Sequence, residues 1–228
     1  NHGTWNGAGG GNTKPQWKTD TAAGFDFYNP HSLQFDGTDD YVDCGNATNL
    51  QLSTGTIALW IKTSNAGASY RGTIVKQGAY GLFLLDNILM MYDWGSIANR
   101  TTGINVADGV WHQIAASFKS GVTNGTEIYL DGSSRLTTTI TIAKQNIPVL
   151  IGAGGWTSYP APPTPPVGNA DVQQFSGSID DVRIYNRALS ASEVAALAAG
   201  NPNTGSGVYV LGSALNLSGN LNIQSGEL

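Results

Sequence analysis

From Leu33 onward, apolar and polar residues alternate in short runs broken by turn residues. Leu33-Gln34-Phe35 leads into Asp36-Gly37, and Tyr41-Val42 into Cys44-Gly45, a pattern that predicts a short hairpin. Thr56–Lys62 reads as a strand covered on both sides, with Ile57, Leu59 and Ile61 on one face and Ala58, Trp60 and Lys62 on the other. The same reasoning predicts strands at Gly72–Lys76, Gly81–Leu85, Ile88–Tyr92, Trp111–Phe118, Glu127–Leu130, Arg135–Ile142 and Val149–Ile151, with Asp131-Gly132 as another hairpin turn. One helix is predicted, Ala191–Ala199, because Ser190 and Glu193 have capping-box spacing and Gly200 supplies a left-handed stop. Residues 1–31, rich in Gly and Asn, read as loop. So many strands without intervening helices indicate an all-β antiparallel β-sandwich, or jelly roll, with one short C-terminal helix. Asn201–Ser206 has linker composition, and Val208–Leu228 resumes β alternation. The chain therefore divides into a sandwich over residues 1–200 and a tail over 201–228, which starts a β-rich repeat or supplies an exchanged strand.

Composition sharpens this picture by exclusion. The 228 residues suit one sandwich, and the 30 glycines follow no collagen period. Net charge is -5 and the 11 Lys and Arg residues are scattered, so no basic patch is available for nucleic acid. The longest apolar run, Tyr80–Leu85, is far short of the roughly 20 residues a bilayer span needs, so no membrane insertion is expected of this chain. Cys44 stands alone, which rules out an intrachain disulfide framework.

Several segments resemble the laminin-G-like jelly-roll family of the concanavalin A-like superfamily. They are Ser32–Gly37 with Asp39–Val42, Thr56–Lys62, Gly109–Ala115 followed by Ile128–Gly132, and above all Phe175–Ser190 running into the capped helix. They occur in the family's order across roughly residues 1–200, so the resemblance agrees with the fold read from the alternation. It fixes a fold more firmly than a function, because function resides in sites.

Catalysis finds little support in the sequence. Related glycosidases place carboxylates on alternate residues of a strand, since acid and nucleophile must flank one bond at about 5–5.5 Å when retaining. The chain has three Glu, of which Glu193 belongs to the helix cap and Glu227 to the tail. That leaves Glu127 with Asp131, which read as a solvated face.

The resemblance also implies a structural Ca²⁺ between an amino-terminal Asp-x-Ser-Gly-Asn-Gly-Asn loop and a late Asp. Only Asn1-His2-Gly3 of that loop is present. Asp180 is the leading expected ligand, with Asp181, Asn1 and Asp36 completing the set, and Arg183 or a backbone N–H is the competing partner for Asp180. On a regular strand Asp180 shares parity with Val182 and Ile184 and would face the core, where a carboxylate needs a partner. The Asp-rich turn around Asp36, Asp39 and Asp40 can equally be plain turn chemistry.

For ligand binding, Trp94, Trp156 and Tyr159 are the candidates because they lie in loops, whereas Trp60 and Trp111 read as core residues. The stretch 153–174 lacks strand pattern and holds five prolines from Pro160 to Pro166, which marks a stiff cover or a binding loop. The expected function is that of a non-catalytic module of a larger surface or secreted protein, at the cell surface or outside the cell, mediating carbohydrate binding or adhesion. Its partner would be a glycan or a surface protein. The alternatives are a purely structural module or filament subunit and, more distantly, an accessory domain of a glycan-degrading enzyme. Related modules open with a strand that this sequence lacks, so its place is expected to be filled from upstream, by the tail, or by a neighbouring copy through strand exchange.

Overall fold

The computed structural model describes residues 4–6 (backbone only), 15–23, 29–143, 146–154 and 173–200. In chain order the strands are β1 Thr4–Asn6, β2 Gln16–Lys18, β3 Ser32–Asp36, β4 Tyr41–Asp43, β5 Thr54–Lys62, β6 Tyr70–Lys76 and β7 Tyr80–Leu85. They continue with β8 Ile88–Asp93, β9 Ala98–Asn105, β10 Trp111–Lys119, β11 Thr126–Leu130, β12 Ser133–Thr138, β13 Val149–Ile151 and β14 Ser176–Tyr185, and helix α1 is Ala191–Ala198. Two sheets form the sandwich, one in the order β1-β4-β13-β6-β7-β8-β9 and the other β12-β11-β10-β5-β14-β3-β2. The pairings are antiparallel. No helix among the described residues is long and apolar enough to cross a membrane.

The period-two pattern explains the core. Ile57, Leu59 and Ile61 of β5 face Ile74, Leu82, Leu84 and Met91 of the opposite sheet in one buried cluster. Tyr80 stacks on Phe118 at 5.2 Å within this layer and donates its hydroxyl to the Leu50 carbonyl at 2.9 Å. The other face of β5 is covered by α1, where Ala58, Ala115, Tyr129 and Tyr185 pack against Leu189, Val194 and Leu197.

The cap of α1 is the one foreseen. Ser190 and Glu193 bond reciprocally, and Arg187 holds the Glu193 carboxylate with two donors at 3.0 and 2.7 Å. Arg187 first, then the Ser190 N–H, hold the Glu193 carboxyl down at about 2. A depressed carboxyl contributes stability that is full above its ordinary range and lost as pH falls toward the folded value. Ser190→Ala is expected to cost about 1 kcal/mol, read as a fall in Tm of roughly 2–4 °C at neutral pH by calorimetry. A Tm unchanged within half a degree would show that the cap contributes nothing.

Four expectations need correction. The β3–β4 hairpin does not exist, because β3 pairs with β14 and β2 while β4 pairs with β1 and β13 in the other sheet. Asp36 Oδ1 accepts the N–H of Thr38 at 2.7 Å and of Asp39 at 3.4 Å, and this side-chain turn sends the chain across the sandwich. By contrast, Asp131-Gly132 is a two-residue hairpin turn with φ of 51° and 72°, the geometry that joins twisted strands. Second, residues 1–31 are not all loop, since β1 and β2 add to the two sheets through their backbones. Third, β9 was invisible to alternation because Ala98–Asn105 is a polar edge strand, half-buried on one side only. Fourth, β12 ends at Thr138, and Ile140 leaves the sheet to fill the core, so buried alternation outlasts the pairing.

Candidate functional site

The outer face of the first sheet carries an aromatic cluster. On β6, β7 and β8 the residues of one parity point away from the core, so Tyr70, Phe83 and Tyr92 stand side by side with Trp94 just beyond β8. The rings meet edge-on or tilted, Tyr70–Phe83 at 6.2 Å, Tyr70–Tyr92 at 6.1 Å, Phe83–Trp94 at 6.0 Å and Tyr92–Trp94 at 5.2 Å. Edge-to-face packing holds each ring's orientation while leaving surface open. Phe83 is buried, whereas Tyr70, Tyr92 and Trp94 are half-exposed. Asn99 accepts the Tyr70 hydroxyl at 3.0 Å and supplies a polar rim.

The loop bearing Trp94 is fixed from below by Asp93. Its Oδ1 accepts the N–H groups of Gly95, Ser96 and Thr141 at 3.1, 3.3 and 2.9 Å. Its Oδ2 accepts the Ser96 hydroxyl at 2.6 Å and Arg100 at 2.7 Å. Burial opposes the charge, yet these donors outweigh it and lower the Asp93 pKa. At the tip, Ile97 combines φ of 54° with 78% exposure, an uncommon state for a β-branched residue.

The described ends of the proline-rich segment border the same face. A Cβ on Gly72 would lie 2.3 Å from backbone atoms of Ala153 and Gly154, so only glycine permits this approach. Gly72 also donates its N–H to the Gln173 carbonyl at 2.9 Å, and a Cβ on Gly154 would touch Phe83 at 2.8 Å. Trp156 and Tyr159, expected as ligand contacts, lie outside the described residues, as do Asn1 and the whole tail 201–228.

Sequence reasoning singled out Trp94 and missed Tyr70, Phe83 and Tyr92. The signal was present as aromatics of one parity on consecutive strands, but it becomes a site only once β6, β7 and β8 are known to be neighbours. Trp60 and Trp111 are not in the core. They are half-buried on the outer face of the second sheet, where the Trp111 indole donates to Asp20 at 3.2 Å.

The expected calcium ligands separate. A bulge between Asp180 and Arg183 inserts one residue opposite β5, and Asp181 sits at φ of 42°. The bulge inverts the parity, so Asp180 shares the outer face with Arg183 and Tyr185, while Val182 and Ile184 point into the core. Asp180 is still buried, because Ala22 N–H and Asn29 Nδ2 donate to its Oδ2 at 3.0 and 2.9 Å and Asp181 N–H donates to Oδ1 at 2.8 Å. Burial, opposed by these bonds, pushes its pKa up to about 6. Asp181 engages Arg183 Nε through both oxygens at 2.8 and 2.9 Å. The distinguishing feature of this pair is the Arg183 guanidinium, which already supplies the positive charge beside Asp181. Asp36 pairs with Ser176, four residues along β14 from Asp180, which is roughly 13 Å. It lies instead with Asp39 and Asp40, and Asp40 is buried with its pKa pushed up to about 6 by that burial.

The carboxylates weighed for catalysis are also engaged elsewhere. Glu127 accepts the Tyr129 hydroxyl at 2.7 Å, and Asp131 binds His112 Nδ1 at 2.8 Å and the Gln113 N–H at 2.9 Å. Glu127 lies on β11 and Asp131 in the β11–β12 turn of the second sheet, on the far side of the core from the aromatic cluster.

Residues 36–195 match the Laminin_G_3 family, described as the concanavalin A-like lectin/glucanases superfamily. No curated protein matches the chain. Among solved structures, domain 4 of a GH43 extracellular arabinanase from Geobacillus stearothermophilus, in complex with arabinotriose, is similar with TM-score 0.57 and 20% identity over 86% of this chain and 87% of that one. The binding domain of Paraclostridial mosquitocidal protein 1 gives 0.55 and 15% over 86% of this chain and 47% of that one. The CBM40 of the Ruminococcus gnavus IT-sialidase gives 0.51 and 15% over 73% and 96%. At these identities the likeness is one of fold.

Proposed function

The chain belongs to the concanavalin A-like lectin/glucanases superfamily, and on that premise we propose that it is a non-catalytic carbohydrate-binding module whose ligand docks on the outer face of the first sheet. The observation that carries this reading is the half-exposed Tyr70, Tyr92 and Trp94 surface, held rigid by edge-to-face contacts and by Asp93. Flat aromatic rings offer the apolar C–H faces of a sugar a large contact at little conformational cost, and the adjacent amide of Asn99 can exchange hydrogen bonds with hydroxyls. A neutral glycan suits a rim whose Arg100 is already paired with Asp93. The arabinotriose bound by the similar arabinanase domain supports this ligand class. The module works outside the cell, tethering a larger surface or secreted protein to glycan.

A glycan array followed by calorimetry on its hits tests the reading. The array should include arabinan, galactan and β-glucan oligosaccharides alongside sialylated chains. Binding of a neutral oligosaccharide that disappears in the Tyr92→Ala, Trp94→Ala double variant is the expected result. Absence of binding across the array, or binding untouched by both changes, overturns it. Release of reducing sugar from any bound glycan would overturn the non-catalytic part alone.

A further inference from the structure

We propose that the crossover between β3 and β4 is a divalent-cation site of calcium type, formed by Asp36, Asp39 and Asp40. One carboxylate oxygen from each of these residues lies within 4.8 Å of the others. Oxygens around Ca²⁺ sit at roughly 2.3–2.6 Å from the ion, so its coordination sphere is about 4.6–5.2 Å across, whereas that of Mg²⁺ spans only about 4.1 Å. The three oxygens are thus close enough to share one ion, and three carboxylates together suit Ca²⁺, whereas Mg²⁺ keeps several waters and takes one or two carboxylates.

The decisive feature is Asp40. Its residue is 2% exposed, its Oδ2 accepts the Asp36 N–H at 2.9 Å, and its Oδ1 is buried with no hydrogen-bond partner. An orphaned buried carboxylate oxygen is costly, and it calls for a proton or a cation. Asp40 and Asp36 line a cleft of about 200 Å³ together with Gln16 and Gln34, large enough for an ion with its remaining waters. With no His or Cys in the acidic group, the donor set is all-oxygen, which selects a hard cation over zinc or copper.

The position gives the ion a structural task. Asp36 ends a strand of one sheet, Tyr41 begins a strand of the other, and the four residues between them carry the chain across the sandwich. A cation here fastens the two sheets at their crossover and neutralises three carboxylates held close together. This site is distinct from the Asp180 and Asp181 pair and independent of the glycan-binding face.

The test uses the 228-residue chain stripped with EDTA and titrated with CaCl₂ by calorimetry and by thermal melting. One site with Kd on the order of 10⁻⁴ to 10⁻³ M is expected, the range of extracellular calcium modules. At 10 mM CaCl₂, Tm should rise by roughly 5–10 °C if the Kd lies at the tight end of that range. Asp40→Asn and the more exposed Asp39→Asn should each weaken binding at least about tenfold, since each removes a charged ligand. Asp180→Asn should leave it unchanged. MgCl₂ should bind at least about tenfold more weakly. The proposal is overturned by a wild-type protein with neither heat nor Tm shift, or by an affinity of folded Asp39→Asn within about threefold of wild type. Loss of binding in Asp180→Asn with retention in Asp39→Asn would move the site to the other pair, and an equal response to MgCl₂ would overturn the calcium assignment.

Discussion

Trp94→Ala is expected to weaken glycan binding by about 30-fold, the equivalent of roughly 2 kcal/mol for a central aromatic contact. Trp94 touches Phe83 and Tyr92 with its edges and tilted face and keeps part of its indole open to solvent. Its removal therefore takes away ligand contact while the Asp93 hub beneath it keeps all its donors. Calorimetric titration with the best array ligand gives the affinity, and a melt on the same sample gives the stability. Trp94→Phe should recover most of the affinity because a flat ring remains. An affinity within about threefold of wild type would show that the sugar sits elsewhere on the sandwich.

The largest expected effect on stability comes from Arg183. Its guanidinium and the Asp181 carboxylate are buried to 8% and 5% side-chain exposure, and Nε reaches both oxygens. Burial works against the Arg183 charge, but Asp181 and then Tyr185 outweigh it and raise its pKa. Arg183→Met strands the carboxylate in a buried bulge, and breaking one half of a buried pair costs about 3–5 kcal/mol. Tm should fall by roughly 6–20 °C for a chain of this size. Adding Asp181→Asn should return more than half of the loss, because the neutral amide needs no counter-charge and adapts to the left-handed backbone at this position. Equal stability of wild type and Arg183→Met, measured by urea unfolding, would mean that Asp181 finds another partner.

The local chemistry of the chain was legible before any coordinates. Alternation located most strands to within a residue or two, Asp131-Gly132 announced its hairpin, and Ser190 with Glu193 announced the cap of α1. These features depend on neighbours in sequence, on the period of side chains along a strand and on the reach of a hydroxyl to the third N–H of a helix. The all-β sandwich followed from them, and the resemblance to laminin-G-like modules followed from the order of the same segments.

What the tertiary structure decided was every feature that depends on which strands are neighbours. Asp36-Gly37 is a good turn by composition, but whether the next strand returns to the same sheet or crosses to the other depends on competing partners, and β14 and β13 win them. A single inserted residue at Asp181 reverses the parity that placed Asp180 toward the core. Tyr70, Phe83 and Trp94 are spread over 25 positions of sequence and meet only because β6, β7 and β8 pair in register. A period of two states which face of a strand a residue occupies, whereas hydrogen-bond register across the sheet determines which residues share that face, and so the sequence determined the strands while the pairing determined the site.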